Sequence, residues 1–128
     1  MKRRVWYPKE KDIIHFNKEV LSIHKETKAE RHEMGGASRK ELQKALKSAR
    51  AKKGDVEDKA AVLMRRITEL HPFGSANRRT AFYSANKMIA CNKGYHLAKK
   101  REKQAKFLKR VRDREVKDKE IARWLGKC

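Results

Sequence analysis

The residues Ala60, Leu63, Met64, Ile67 and Leu70 recur at the three- and four-residue interval of one helical face, and the stripe ends at His71-Pro72. Proline disfavours helical geometry in the residue before it, so His71 lies at or just past a helix end. The loop that follows contains the small residues Gly74, Ser75 and Ala76, and a second stripe begins with Ala81, Ala85, Met88 and Ile89. This helix–loop–helix, from residue 58 to residue 92, constrains the fold most. Its first helix is expected to start at Glu57 or Asp58. Its second runs from about Asn77 to Asn92 and stops at Gly94.

The rest of the chain keeps the same period. Ile13, Phe16, Val20, Leu21, Ile23 and His24 predict an amphipathic helix over residues 11 to 29, broken by Met34-Gly35-Gly36-Ala37. Ser38-Arg39-Lys40-Glu41 reads as a capping box, with the Ser38 hydroxyl taking a helical N–H and Glu41 reaching back. Leu42, Ala45, Leu46 and Ala49 follow on one face, with Gly54 placed as a C-cap after Lys52-Lys53. From Leu97 to Lys119 only Ala105, Phe107, Leu108 and Val111 form an apolar seam, and a short last helix carries Ile121, Trp124 and Leu125. No stretch alternates like a strand and none repeats. The expected class is all-α: a compact bundle of about six helices in one domain over residues 1–128, with a basic helical C-terminal region from 97 to 128.

At 38% hydrophobic and 41% charged, a chain of 128 residues can bury one thin core. The formal charge of +20 suits RNA, DNA, the ribosome, anionic lipid or an acidic protein, and equally reads as a basic solvated shell. Cys91 and Cys128 make no disulfide framework, and no Cys/His pair has zinc spacing. No apolar run approaches the roughly 20 residues that cross a bilayer. Met1-Lys2-Arg3-Arg4 is basic without an apolar stretch behind it, so no signal peptide is read and the expected location is cytoplasmic.

The chemistry concentrates between residues 71 and 80. Small residues let backbone approach a ligand, and a helix start offers unpaired N–H groups and a positive dipole. Arg78 and Arg79 add charge-assisted bonds, so the segment suits an anion, phosphate above all. His71 beside it can take a proton from an attacking hydroxyl. Each part also has a plainer reading. His71 can be a helix-end residue, Asn77 an N-cap, and two arginines the expectation for a basic chain.

In their joint order, His71-Pro72-Phe73-Gly74-Ser75-Ala76-Asn77-Arg78-Arg79-Thr80-Ala81 resembles the motif of the Fic/Doc (death-on-curing) family, His-x-Phe-x-(Asp/Glu)-(Gly/Ala)-Asn-(Lys/Gly)-Arg. Thr80-Ala81 is similar to the Doc branch, and Phe82 stands where the Fic branch has a second arginine. Asp58-Lys59-Ala60-Ala61-Val62-Leu63, Asn92-Lys93-Gly94-Tyr95, the opening helix from Tyr7 to Lys25, Lys44 to Ala49 and Ile121 to Leu125 resemble family segments too.

The resemblance implies a toxin-type transferase that moves a phosphate or nucleotide from ATP or another nucleoside triphosphate to a protein hydroxyl. His71 would be the catalytic base and Phe73 the buried anchor. Gly74, Ser75, Ala76, Asn77, Arg78 and Arg79 would bind the phosphates, through side chains or backbone N–H groups. The target would be a translation factor or nucleotide-binding protein, with a short antitoxin as a further partner. Ser75 departs from the motif: it stands where the family has the carboxylate that holds Mg2+, and a serine hydroxyl is only a weak ligand for that ion. Glu69 is the local acid that stands nearest. The basic residues Lys52, Lys53, Lys99, Lys100 and Arg101 give the alternative, a catalytically impaired Fic/Doc fold that binds RNA, the ribosome or an acidic partner.

Overall fold

A computed structural model describes residues 4 to 23 and 37 to 127. Among these residues the chain forms six helices and no strand. They are α1 (Glu10–Ile23), α2 (Arg39–Ala51), α3 (Val56–Leu70), α4 (Asn77–Lys93), α5 (Arg101–Arg112) and α6 (Asp118–Trp124). The expected continuation of the first helix to residue 29 and the break at residues 34–36 lie outside the described residues.

α3 is the axis of the bundle. Ala60 to Met64 are all buried, so more than one face of this helix is covered, and it packs against α2, α4, α5 and α6. α1 lies mainly across α4. One hydrophobic cluster runs from Ile13 to Leu125 and takes in residues of every helix. Leu63, Met64 and Ile67 at its centre are fully buried, and truncating such a side chain to alanine costs about 2–5 kcal/mol.

The helix ends differ from expectation in three places. α3 starts at Val56, ahead of Glu57 and Asp58, because Asp55 is its N-cap and the Asp55 N–H donates to Asp58 Oδ2 at 2.8 Å. α2 ends at Ala51, before Lys52-Lys53-Gly54 as expected, but its C-cap is Lys52 rather than Gly54. Gly54 has φ +129°, and a Cβ there would fall 2.3 Å from Asp58 Oδ2, so the glycine makes room for the cap of α3. The Ser38 hydroxyl does accept from the Glu41 N–H at 3.3 Å. The Ser38 N–H, however, donates to the Pro72 carbonyl at 2.7 Å, so no return bond from Glu41 forms and the cap of α2 is tied instead to the loop after α3.

The tail is also shorter in helix than its seam suggested. α5 stops at Arg112, Arg114 takes a left-handed conformation (φ 58°), and Val116 turns into the core before α6 begins. Phe107, Leu108 and Val111 are buried, whereas Ala105 is exposed. The segment before α5 is pinned to α4: the Leu97 N–H donates to Asn86 Oδ1 at 2.8 Å. Trp124 then closes the C-terminal end, stacked on Phe107 at 4.3 Å and edge-on to Phe82 at 5.5 Å.

Candidate active site

α3 ends on His71, which caps the helix in the left-handed conformation (φ 49°, ψ 59°) and donates its N–H to the Ile67 carbonyl at 3.2 Å. Its imidazole side is exposed. Ala76, the N-cap of α4, is left-handed as well (φ 59°). Non-glycine residues adopt this region at a cost of order 1–3 kcal/mol, and persist there where the surroundings fix them. Two such residues therefore bracket a short loop that is held hard in one shape.

The holding contacts are specific. Phe73 inserts into the core at 5% exposure, and Pro72 is buried. The Phe73 N–H donates to Asn77 Oδ1 at 3.0 Å, and Asn77 Nδ2 donates to the Phe73 carbonyl at 3.0 Å. From α1, Asn17 Nδ2 donates to the Ser75 carbonyl at 3.1 Å and to Thr80 Oγ1 at 3.1 Å. Asn17 is 1% exposed. Its contribution was not anticipated, although a polar residue between Phe16 and Val20 on a buried stripe has to find partners and so carried a signal.

Ala76 supplies no side-chain cap, so the first turn of α4 keeps backbone N–H groups that no capping side chain takes. Arg78 and Arg79, in that turn, line a cavity of about 440 Å³ with Lys99, Arg101, Gln104, Ala105 and Leu108. Burial, and then the charge of Arg101, push the Arg79 pKa below its ordinary value. Lys99 is steered by its stem, its ammonium lying 4.9 Å from the centre of the Trp124 ring. Gln104 Nε2 donates to the Lys99 carbonyl at 2.7 Å. His71, Gly74, Ser75 and Ala76 stand outside this lining, as do Lys52, Lys53 and Lys100.

Among the described residues the side chains at the motif do not make a magnesium site. That ion requires oxygen ligands and favours charged ones. The Ser75 hydroxyl oxygen is buried without a hydrogen-bond partner and lines no part of the cavity. Glu69, the acid expected to stand in, is occupied: its Oε1 accepts from Arg65 at 2.8 Å and from Arg66 at 3.2 Å. Arg65 in turn reaches Asp118 of α6, so this carboxylate belongs to an ion-pair network between helices. Among the described residues no three His, Cys, Asp or Glu side chains stand together as a metal cluster.

The family model described as Fic/DOC matches residues 7–89, more than half of the chain. The chain belongs to the Fic/Doc family. Members of this family in general transfer nucleotide or phosphate groups from nucleoside triphosphates, with magnesium, to proteins. A search of curated proteins gives no match, and neither does a search of solved structures. Within this Fic/Doc chain the match covers α1 to α3, the loop and most of α4, and ends before Lys99, Arg101 and Gln104. No described helix is long and apolar enough to cross a membrane.

Proposed function

We propose that this chain is a Doc-like transferase of the toxin type, which moves a phosphate or a nucleotide from a nucleoside triphosphate to a protein hydroxyl. One observation carries the reading: Arg78 and Arg79 open into a basic cavity at an uncapped helix start, next to a loop whose shape is fixed by Asn77 and Asn17. His71 at the loop's entrance is the base. It takes the proton from the target hydroxyl, whose oxygen then forms a bond to a donor phosphorus. Attack at the terminal phosphorus releases a nucleoside diphosphate, and attack at the first releases diphosphate. Arg78, Arg79 and the α4 amides hold the charge that develops on the leaving group.

The target class is a translation factor or nucleotide-binding protein in the cytoplasm, with a short acidic antitoxin as inhibitor. Residues 1–128 form one unit in this reading, supported by the single core that runs from Ile13 to Leu125.

A second reading rests on the outer face of α5. Arg101, Lys103, Lys106, Lys109, Arg110 and Arg112 are all exposed there, which suits a phosphate backbone. In that case the chain is an impaired transferase that binds RNA or the ribosome.

One variant and two assays separate them. Labelling of a cell-extract protein from a radioactive nucleoside triphosphate should vanish in His71→Ala if the chain is a transferase. Absence of labelling from any donor, with tight RNA binding that weakens steeply with salt and survives His71→Ala, would reject the transferase and leave the binder.

A further inference from the structure

The family's donor is a triphosphate, whose negative charge has to be matched in any site that holds it. The present cavity has cations where a metal site needs acids. Arg78 and Arg79 come from the motif helix, Lys99 from the segment leading into α5 and Arg101 from the first turn of that helix, and among the described residues the lining contains no carboxylate. The one hydroxyl at the motif's acidic position, Ser75 Oγ, is covered.

Resting on the transferase reading above, we propose that Arg78, Arg79, Lys99 and Arg101 neutralise the phosphates of the donor in place of a divalent metal, so that this chain takes a nucleoside triphosphate in its metal-free form.

Two features of the packing support this. The wall that bears Lys99 is fixed: Lys99 lies over Trp124, and Trp124 is clamped between Phe107 and Phe82. The two sides of the cavity are also close enough to repel. Burial first, and then the like charge of Arg101, disfavour the charged form of Arg79, so the shared positive charge of the two walls favours a bound anion over a bound metal ion. A magnesium complex of the donor would bring less negative charge to the same cations and so bind no better than the free donor.

The test is calorimetry of the full chain with ATP, once in excess EDTA and once in saturating magnesium, on wild type, Arg101→Gln and Lys47→Gln. Arg101 is exposed in the first turn of α5, where losing a positive charge does not oppose the helix dipole, so the substitution leaves the fold intact. Lys47 is an exposed residue of α2 outside the cavity and controls for net charge. The expected result is binding in EDTA at least as tight as in magnesium, weakened about tenfold by Arg101→Gln and less than twofold by Lys47→Gln. Binding that needs magnesium overturns this inference and leaves the transferase reading standing. Equal losses in the two variants also overturn it, since generic attraction to a basic surface then suffices. No binding of any nucleoside triphosphate in either condition overturns both.

Discussion

Asn77 and Phe73 close the motif loop by holding each other, with the Phe73 N–H on Asn77 Oδ1 and Asn77 Nδ2 on the Phe73 carbonyl, both at 3.0 Å. A side-chain amide here does the work of a strand partner for a single residue. Both groups are buried, so no water stands ready to replace either bond. The loop that separates His71 from Arg78 and Arg79 thus has its width set by the first residue of the helix it leads into.

Replacing Asn77 by alanine should therefore destabilise the chain by about 2–4 kcal/mol, because a buried N–H and a buried carbonyl both lose their partner. Asn77→Asp keeps the acceptor for the Phe73 N–H but sets a buried carboxylate oxygen against the Phe73 carbonyl, so its loss should be at least as large. Urea unfolding of the two variants at neutral pH measures the difference. Equal and small losses would mean that the loop is held by Phe73 packing and Asn17 alone.

Phe82 offers a second test, because the resemblance to the Fic branch would have an arginine at that place. Here the ring is 6% exposed and packs edge-on against Trp124. Phe82→Ala should cost about 3–5 kcal/mol and loosen α6. Phe82→Arg should be at least as damaging and bring no gain in transfer, since it buries a charge. In a Trp6→Phe background, the emission of Trp124 should shift to longer wavelength in both variants as the ring meets water.

Glu57 is one of the carboxylates through which acid weakens the fold. Burial would raise its pKa, but the hydrogen bonds from Tyr95 at 2.7 Å and Lys93 at 2.9 Å outweigh this and hold it below the usual carboxylate range. A depressed folded pKa means that the stabilisation is full above the unfolded value of about 4.5 and is lost as pH falls through the folded value. Tyr95→Phe should cost about 1–3 kcal/mol at neutral pH, as expected for one hydrogen bond to a charged group. The difference from wild type should shrink as pH falls through the folded value and the carboxylate is protonated, as a series of urea unfolding curves from neutral to acid pH would show. A loss independent of pH would assign the effect to the packing of Tyr95 near Gly126.

What could be read in the sequence was what acts locally. The α3 stripe around Leu63 and Ile67 and the stop at Gly94 follow from helical period and from glycine's tolerance of φ 79°. The engagement of Glu69 was also legible, since Arg65 and Arg66 stand four and three residues before it on the same face. Contacts between distant segments were not. Asn17 reaches Ser75 across 58 residues, and Ser38 meets Pro72 only once α2 and α3 have packed. The cavity wall of Lys99 and Arg101 depends on Trp124 anchoring its far side, which no periodicity encodes. The motif thus announced the chemistry of one side of the site, and tertiary packing supplied the other.

Ser75→Asp restores the acid that the family motif carries, and its effect should depend on what accompanies the nucleotide. Ser75 directly precedes the N-cap of α4, and its carbonyl is already held by Asn17, so the substitution changes charge without moving the backbone. The Ser75 hydroxyl is covered and outside the cavity lining, but where the longer side chain carries the new carboxylate out to the phosphates, no cation stands between them in EDTA, and triphosphate affinity should fall on the order of tenfold. With magnesium present, the same carboxylate gains a partner, and the affinity should return to the wild-type level or exceed it. Wild type should show the reverse preference, because the charged side chains among the described lining residues of its cavity are all cations. Paired titrations of the two proteins with ATP, with and without magnesium, give the ratio directly. A variant whose affinity ignores magnesium would show that residue 75 does not face the phosphates, and that the metal-binding position of the motif lies elsewhere in this chain.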